Sequence, residues 1–344
     1  MNKYFINIFK KYSVLSALIF FSYVLPAISE PGISTFMYHR FGEDKYPSTS
    51  VNTDQFYSHI EYILNEKIKI ISLDEIIQSI EKNDKFNEKA IAFSVDDAYS
   101  SFYEIAWPVF KKNNIPVTLF VSTDIIDKKT KGYMTWNEIK SFIEEGGSVG
   151  QHTSTHLHMP LNDTATIKKD ILESHKSWVK NIGFIPKLFA YPYGESSEAV
   201  IDILKEFGIS HGFGQHSGVI SSFDNPYYLP RFSLNERFGM QDRFEFAVNS
   251  HSLDVIDFIP ADMFLVSNRK PQIEFSILND VNWKSINCFS NPGGQWNDMP
   301  LVNITSNRIQ INLEESYETG RARLNCTTKI NNKWHWFGYQ FLVK

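Results

Sequence analysis

Ile91-Ala92-Phe93-Ser94-Val95-Asp96-Asp97 is a short apolar run that ends in two adjacent carboxylates. A buried strand has no reason to finish this way, because neighbouring acids repel and lose hydration. The ending makes sense if one carboxylate holds a cation and the other handles a proton. Further along, Ser148-Val149-Gly150-Gln151 leads into His152-Thr153-Ser154-Thr155-His156, a second strand that closes on candidate metal ligands. A third, Lys187-Leu188-Phe189-Ala190, runs into Tyr191-Pro192-Tyr193-Gly194. Three polar strand ends in succession predict one site.

Working outward, Ile33 to Tyr38 is a first strand that ends at His39. Phe56, Ile60, Ile63 and Leu64 give a helical apolar face. Ser72-x-x-Glu75 and Thr135-x-x-Glu138 are capping boxes that open further helices. Val117 to Val121 is another strand, and a long helix carries Ile167, Ile171, Trp178 and Ile182. Strand and helix alternate, so the class is α/β with a parallel sheet, barrel or doubly wound. Candidate chemistry at the C-terminal ends of successive strands favours a (β/α) barrel.

The pattern changes after Ile259-Pro260. Short runs at Gln272–Leu278, Leu301–Ile304, Arg308–Leu313, Arg321–Thr327 and His335–Val343 alternate with Asn, Gly, Pro and Asp. They predict a small β-sandwich over 261–344 behind a catalytic domain of 30–260. Trp283, Trp296, Trp334 and Trp336 lie in this part, as core packing or as a platform for sugars. The two cysteines, Cys288 and Cys326, also fall here and are expected to form a disulfide if the chain is exported.

Export is what the first 29 residues predict. Lys3, Lys10 and Lys11 precede an apolar stretch from Ser13 to Leu25, and Ala27-Ile28-Ser29 offers a small-x-small cleavage site. The alternative is an uncleaved membrane anchor. Both place the working part outside the cytoplasm, periplasmic or extracellular. Removing residues 1–29 takes away three lysines and no acids, so 34 basic and 39 acidic residues become 31 and 39, a net charge of −8. That opposes nucleic acid or an anionic membrane surface as partner and suits a neutral or cationic substrate.

His152 and His156 lie four apart, and Asp97 completes a set of two histidines and one carboxylate with positions left open. A divalent metal in such a set polarises a carbonyl and acidifies bound water. Asp96 is then placed to take the water's proton.

These residues resemble the polysaccharide deacetylases of carbohydrate esterase family 4. Ser94-Val95-Asp96-Asp97 is similar to that family's Thr-Phe-Asp-Asp motif, and His152-Thr153-Ser154-Thr155-His156 to its His-Ser/Thr-x-x-His motif. Tyr191-Pro192-Tyr193-Gly194 resembles its third motif. The resemblance implies a distorted (β/α) barrel and zinc or another divalent transition metal on Asp97, His152 and His156. It also implies Asp96 as base and the Tyr193 backbone N–H at the oxyanion. Two departures stand out: the arginine that usually opens the third motif is Ala190, and the usual late motifs are missing. Tyr-Pro-Tyr-Gly without that arginine is similar to the branch acting on poly-β-1,6-N-acetylglucosamine, where motif order is permuted and a histidine after the first strand is the acid. Met37-Tyr38-His39 fits, so His39 is expected to be the general acid, with His216 as its rival. Tyr191, Pro192, His216 and Arg231 are expected to contact substrate, and Arg231 is a candidate replacement for the missing arginine. His158 is expected beside the metal set or facing substrate. The implied substrate is an N-acetylglucosamine polysaccharide; peptidoglycan, another envelope glycan, or a silent glycan-binding role are the alternatives.

Overall fold

The computed structural model describes residues 30–344. The expected signal segment, 1–29, lies outside the described residues. Seven parallel strands form the centre: β1 (Ile33–Tyr38), β2 (Ala90–Asp96), β3 (Val117–Val121), β4 (Ser148–Gln151), β5 (Leu188–Ala190), β6 (His211–Phe213) and β7 (Phe232–Ser233). Their order is β6-β5-β4-β3-β2-β1-β7, so the sheet makes a half-barrel with β6 and β7 as its edges. The central strands β1, β2 and β3 are buried along their whole length and are mostly apolar, as parallel strands covered on both faces are.

The register brings the polar strand ends together. Tyr38 sits opposite Val95, so His39 and Asp96 leave the sheet side by side. Asp96 pairs with Phe120 and Val121 with Gln151, which sets His152 one step beyond. Asp97 N–H donates to Phe120 O at 3.0 Å and His152 N–H to Val121 O at 3.1 Å, so both ligands start from ladder hydrogen bonds.

An aromatic core holds this geometry. Phe36, Tyr38, Phe41, Phe56, Phe93, Phe102 and Phe110 pack as one cluster between β1, β2 and their helices. Each such ring removed from water contributes roughly 2–3 kcal/mol. Both expected capping boxes are present, at Ser72/Glu75 and Thr135/Glu138, and a third, Asn52/Gln55, opens the helix Thr53–Asn65.

The C-terminal part consists of two packed sheets, as expected. His251–Ser252 pairs with β9 (Lys333–Val343), and Val255–Ile259 pairs with Ile273–Ile277. Strands at 251–252 and 255–259 thus pair with the C-terminal sheets. The second sheet is built on the hairpin of β8 (Gly320–Ile330) and β9, with Asn287–Ser290 alongside β8. Phe275, Leu324 and Phe341 fill the space between the sheets.

Cys288 and Cys326 face each other in the β8 register and form a disulfide, with Cα atoms 4.0 Å apart. The bond closes a loop with a sequence separation of 38, worth about 4 kcal/mol if it acts by restricting the unfolded chain. Reduction should lower the urea midpoint of the C-terminal sheets. An unchanged midpoint with both thiols shown free would refute that.

Candidate active site

Asp97, His152 and His156 converge beyond the ends of β2 and β4. Their ligand atoms all lie within 4.8 Å of one another. Both histidine Nε2 atoms stand 3.4 Å from the same oxygen, Asp97 Oδ1. That is too long for a good hydrogen bond. It is the spacing of donors around a tetrahedral ion with bonds of about 2.0–2.2 Å. His152 is fully buried and its Nδ1 donates to Ala190 O at 2.7 Å, which leaves the Nε2 lone pair facing Asp97. Nε2 makes no hydrogen bond of its own, so a buried acceptor is left for a cation. The donor set fits a divalent metal.

The local backbone is held in unusual conformations. Asp97 (φ 74°), Ala98 (55°), Thr153 (63°), His156 (56°) and Tyr193 (60°) are non-glycine residues in the left-handed region. Each costs of order 1 kcal/mol or more and persists only where the surroundings enforce it. Asp170, from the helix Thr164–Asn181, is one enforcing group: it accepts from Ser154 N–H at 2.7 Å, Thr155 N–H at 3.1 Å and the Thr155 hydroxyl at 2.6 Å. The turn between the two histidines is thereby fixed.

Asp96 lies behind the metal set, fully buried. Arg231 meets it with two parallel bonds, Nη1 to Oδ1 at 2.7 Å and Nη2 to Oδ2 at 2.9 Å. Arg231 is itself 0% exposed and also donates to Gly214 O and the Ser94 hydroxyl. Burial alone would raise the Asp96 carboxyl, but Arg231 and the nearby histidines outweigh it and hold it below its usual value.

With this geometry in view, known proteins are informative. The sequence profile of the polysaccharide deacetylase family matches residues 83–212. The poly-β-1,6-N-acetyl-D-glucosamine N-deacetylase of Staphylococcus epidermidis is 30% identical over 207 residues, covering 56% of this chain and 71% of that protein. This chain belongs to the polysaccharide deacetylase family. The Staphylococcus aureus (strain MRSA252) protein of the same name is 26% identical over 216 residues, 59% of this chain and 74% of that one. Among solved structures, the Streptococcus pyogenes deacetylase PplD in complex with acetate superposes with a TM-score of 0.56 at 20% identity, covering 63% of this chain and 99% of that one. IcaB from Ammonifex degensii does so with a TM-score of 0.56 at 22% identity, covering 64% and 98%. These two establish the fold.

In this deacetylase the metal triad opens into a cleft of about 950 Å³. His39 lines it, together with Asp97, His156 and Tyr193. The Tyr193 ring stacks on His158 with centroids 3.8 Å apart and meets His156 edge-on at 4.4 Å. His158 in turn contacts the buried Glu195 through Nδ1 at 2.6 Å. His156 is pushed down to about 4, first by burial and then by the charge of His152, so it stays neutral and able to ligate at neutral pH. Burial pushes His152 down too, but its contact with Asp97 and the charge of Asp96 prevail and raise it. The same negative field that draws a proton there draws a cation.

Several expected substrate contacts are not in the cleft. Tyr191 is fully buried and its hydroxyl donates to Tyr227 O at 2.7 Å, so it is a core residue. Pro192 is buried beside it. Arg231 reaches Asp96 and has no surface for a sugar. His216 does border the cleft but is only 3% exposed, its ring stacked on Tyr228 at 4.5 Å. Burial and Arg231 push it down to about 3.

The neutral state of His216 has a consequence for stability. Burial also pushes His59 down to about 4, where it lies between the Tyr38 hydroxyl and Gly239 O. Both folded values lie below the ordinary imidazole value, so their contribution is full above pH ~6.5 and lost as pH falls towards 4 and then 3. At pH 5 each should cost about 2 kcal/mol. Unfolding free energies measured at pH 7.5 and 5.0 test this, and a flat profile would contradict it.

Sequence reasoning missed the contribution of the C-terminal sheets. Gln340 of β9 donates to Tyr193 O at 3.1 Å and Gly194 O at 3.0 Å, which pins the turn carrying Tyr193. Trp296 and Trp336 line the cleft, whereas Trp283 packs on the C-terminal core and Trp334 on Phe246. Period-two alternation along β8 and β9 was the only available signal. It does not say which face meets the half-barrel.

Proposed function

We propose that this protein is an exported, metal-dependent N-deacetylase of an N-acetylglucosamine polysaccharide, with poly-β-1,6-N-acetylglucosamine as the reference substrate. The observation that carries it is Asp96, held by Arg231 beside a candidate metal set that opens into a cleft of about 950 Å³. Asp97, His152 and His156 would hold the ion. Zinc suits two imidazoles and a carboxylate. A divalent metal there supplies Lewis acidity towards the acetyl carbonyl and acidifies water.

The remaining steps belong to the chain. Asp96 is acceptor-only while its carboxylate is ionised, and takes a proton from the attacking water. The Tyr193 N–H stabilises the charge that develops on the acetyl oxygen. His39, partly exposed at the end of β1, delivers a proton to the amide nitrogen as the C–N bond breaks. Water and the acetamide thus become acetate and a free amine. The disulfide and the names of the staphylococcal relatives support work outside the cytoplasm on a glycan. Among the described residues no helix is long and apolar enough to cross a membrane.

The deciding experiment is acetate release from β-1,6 and β-1,4 N-acetylglucosamine oligomers and from peptidoglycan, with and without chelator. Release that chelation abolishes and added Zn2+ restores is expected. Chelator-insensitive release, or none from any of the glycans with metal bound, would defeat the reading.

A further inference from the structure

The cleft has a charge opposite to that of the chain. The protein is net acidic, yet four arginines line the cleft, Arg237, Arg243, Arg321 and Arg323, against two carboxylates, Asp97 and Asp124. Neither carboxylate neutralises them. Asp97 belongs to the metal set, and Asp124 is bound by Lys128 at 2.6 Å.

Two of the four have lost much of their hydration without gaining an anion. Arg323, half-buried on β8, gives its Nε to Gln340 Oε1 at 3.1 Å. Arg243, half-buried on the helix Gln241–Asn249, donates to Phe238 O at 2.6 Å, Ser233 O at 3.3 Å and the Ser217 hydroxyl at 3.4 Å. Among the described residues neither forms an ion pair. Arg321 reaches Glu195 only at 3.9 Å, and that carboxylate is already engaged by His158. Burial lowers Arg243 to about 10, and burial together with Arg321 lowers Arg323. Both stay charged at neutral pH.

Removing a cation from water without a partner is unfavourable. Placing Arg321 and Arg323 two apart on one strand, on the same face, adds repulsion. Such an arrangement persists where a ligand supplies the missing charge, and the planar guanidinium fork suits carboxylate and phosphate oxygens.

We infer that Arg243, Arg321 and Arg323 form an anion subsite beside the metal set, so that the glycan processed here carries acidic groups, carboxylate or phosphate, on units next to the N-acetylglucosamine that is deacetylated. The inference rests on the deacetylase reading for what happens at the neighbouring unit. It narrows the substrate from N-acetylglucosamine polysaccharides in general to acidic ones, with the neutral poly-β-1,6 polymer kept as the reference against which they are compared. It also gives the C-terminal hairpin a part in binding, since β8 supplies two of the three cations.

The test is calorimetric binding to the full metal-loaded chain carrying His39→Ala, which slows turnover and leaves the buried Asp96–Arg231 pair intact. Three oligomers of equal length are compared: neutral β-1,6 N-acetylglucosamine, N-acetylglucosamine alternating with glucuronic acid, and N-acetylglucosamine units joined by phosphodiesters. At low salt at least one acidic oligomer should bind about ten-fold or more tighter than the neutral one, and the advantage should shrink as salt screens it. Arg323→Gln and Arg243→Gln should each cut the acidic-to-neutral ratio at least about three-fold. The exposed Lys140→Gln serves as a charge-matched control and should leave it alone. Whichever acidic oligomer binds identifies the anion. Equal binding of neutral and acidic oligomers, or a ratio that the arginine variants do not move, overturns the subsite. Initial rates of acetate release by the unsubstituted protein separate the two readings: acidic binding without release from any oligomer sinks the deacetylase reading and leaves the subsite standing.

Discussion

His39→Ala should lower kcat about 10²–10⁴-fold, the range for losing a general acid, while bound metal per chain stays unchanged. The effect is large because an amide nitrogen is a poor leaving group until it is protonated. His39 leaves β1 in register with Asp96 leaving β2. The rival, His216, is pushed down to about 3 and stacked on Tyr228, so at neutral pH it is the uncharged imidazole and not the imidazolium that a general acid needs. His216→Gln should therefore change kcat less than tenfold. If His39→Ala keeps near-full activity and His216→Gln loses it with metal intact, the assignment is reversed.

Arg231→Met should destabilise the fold by about 3–5 kcal/mol, because it strands the buried Asp96 carboxylate without its partner. Urea unfolding reads this directly. The pair is 0% exposed on both sides, so solvent screening does little to soften the loss. Adding Asp96→Asn to Arg231→Met should restore part of the stability, since the uncompensated charge goes. Strictly additive effects would show that the two side chains do not act as a unit. Arg231→Met should also cost activity, because the proposed base, Asp96, loses the group that orients it.

Asp96 has a cationic partner even though the third motif lacks its usual arginine. The position that opens the third motif is Ala190, whose carbonyl accepts from His152 Nδ1. A small residue there is compatible with the tight fit at this strand end. The cation comes instead from Arg231, just before β7 on the other side of β1. On the proposed mechanism, Arg231 is the positive charge that holds the proposed base, Asp96.

Much of this could be read in the sequence alone. The apolar runs ending in Asp96-Asp97, His152 and Tyr191 determined a parallel sheet with chemistry at its C-terminal end, because apolar strands on adjacent registers bring their polar ends together. The capping boxes at Ser72 and Thr135 placed two helices, since both partners of such a box are local in sequence. The Asp97, His152 and His156 set followed from spacing and donor chemistry. What only the tertiary structure decided are contacts between residues far apart in the chain. Arg231 reaching Asp96, Asp170 holding the 153–155 turn, and Gln340 pinning Tyr193 leave no local pattern. Tyr191 turned inward and His39 outward because burial depends on what packs against a strand end. The arginine-lined wall arises because the outward face of β8 is turned to the half-barrel instead of to water. A net charge summed over the chain could not reveal it, because an electrostatic field in a cleft is set by the few groups that line it.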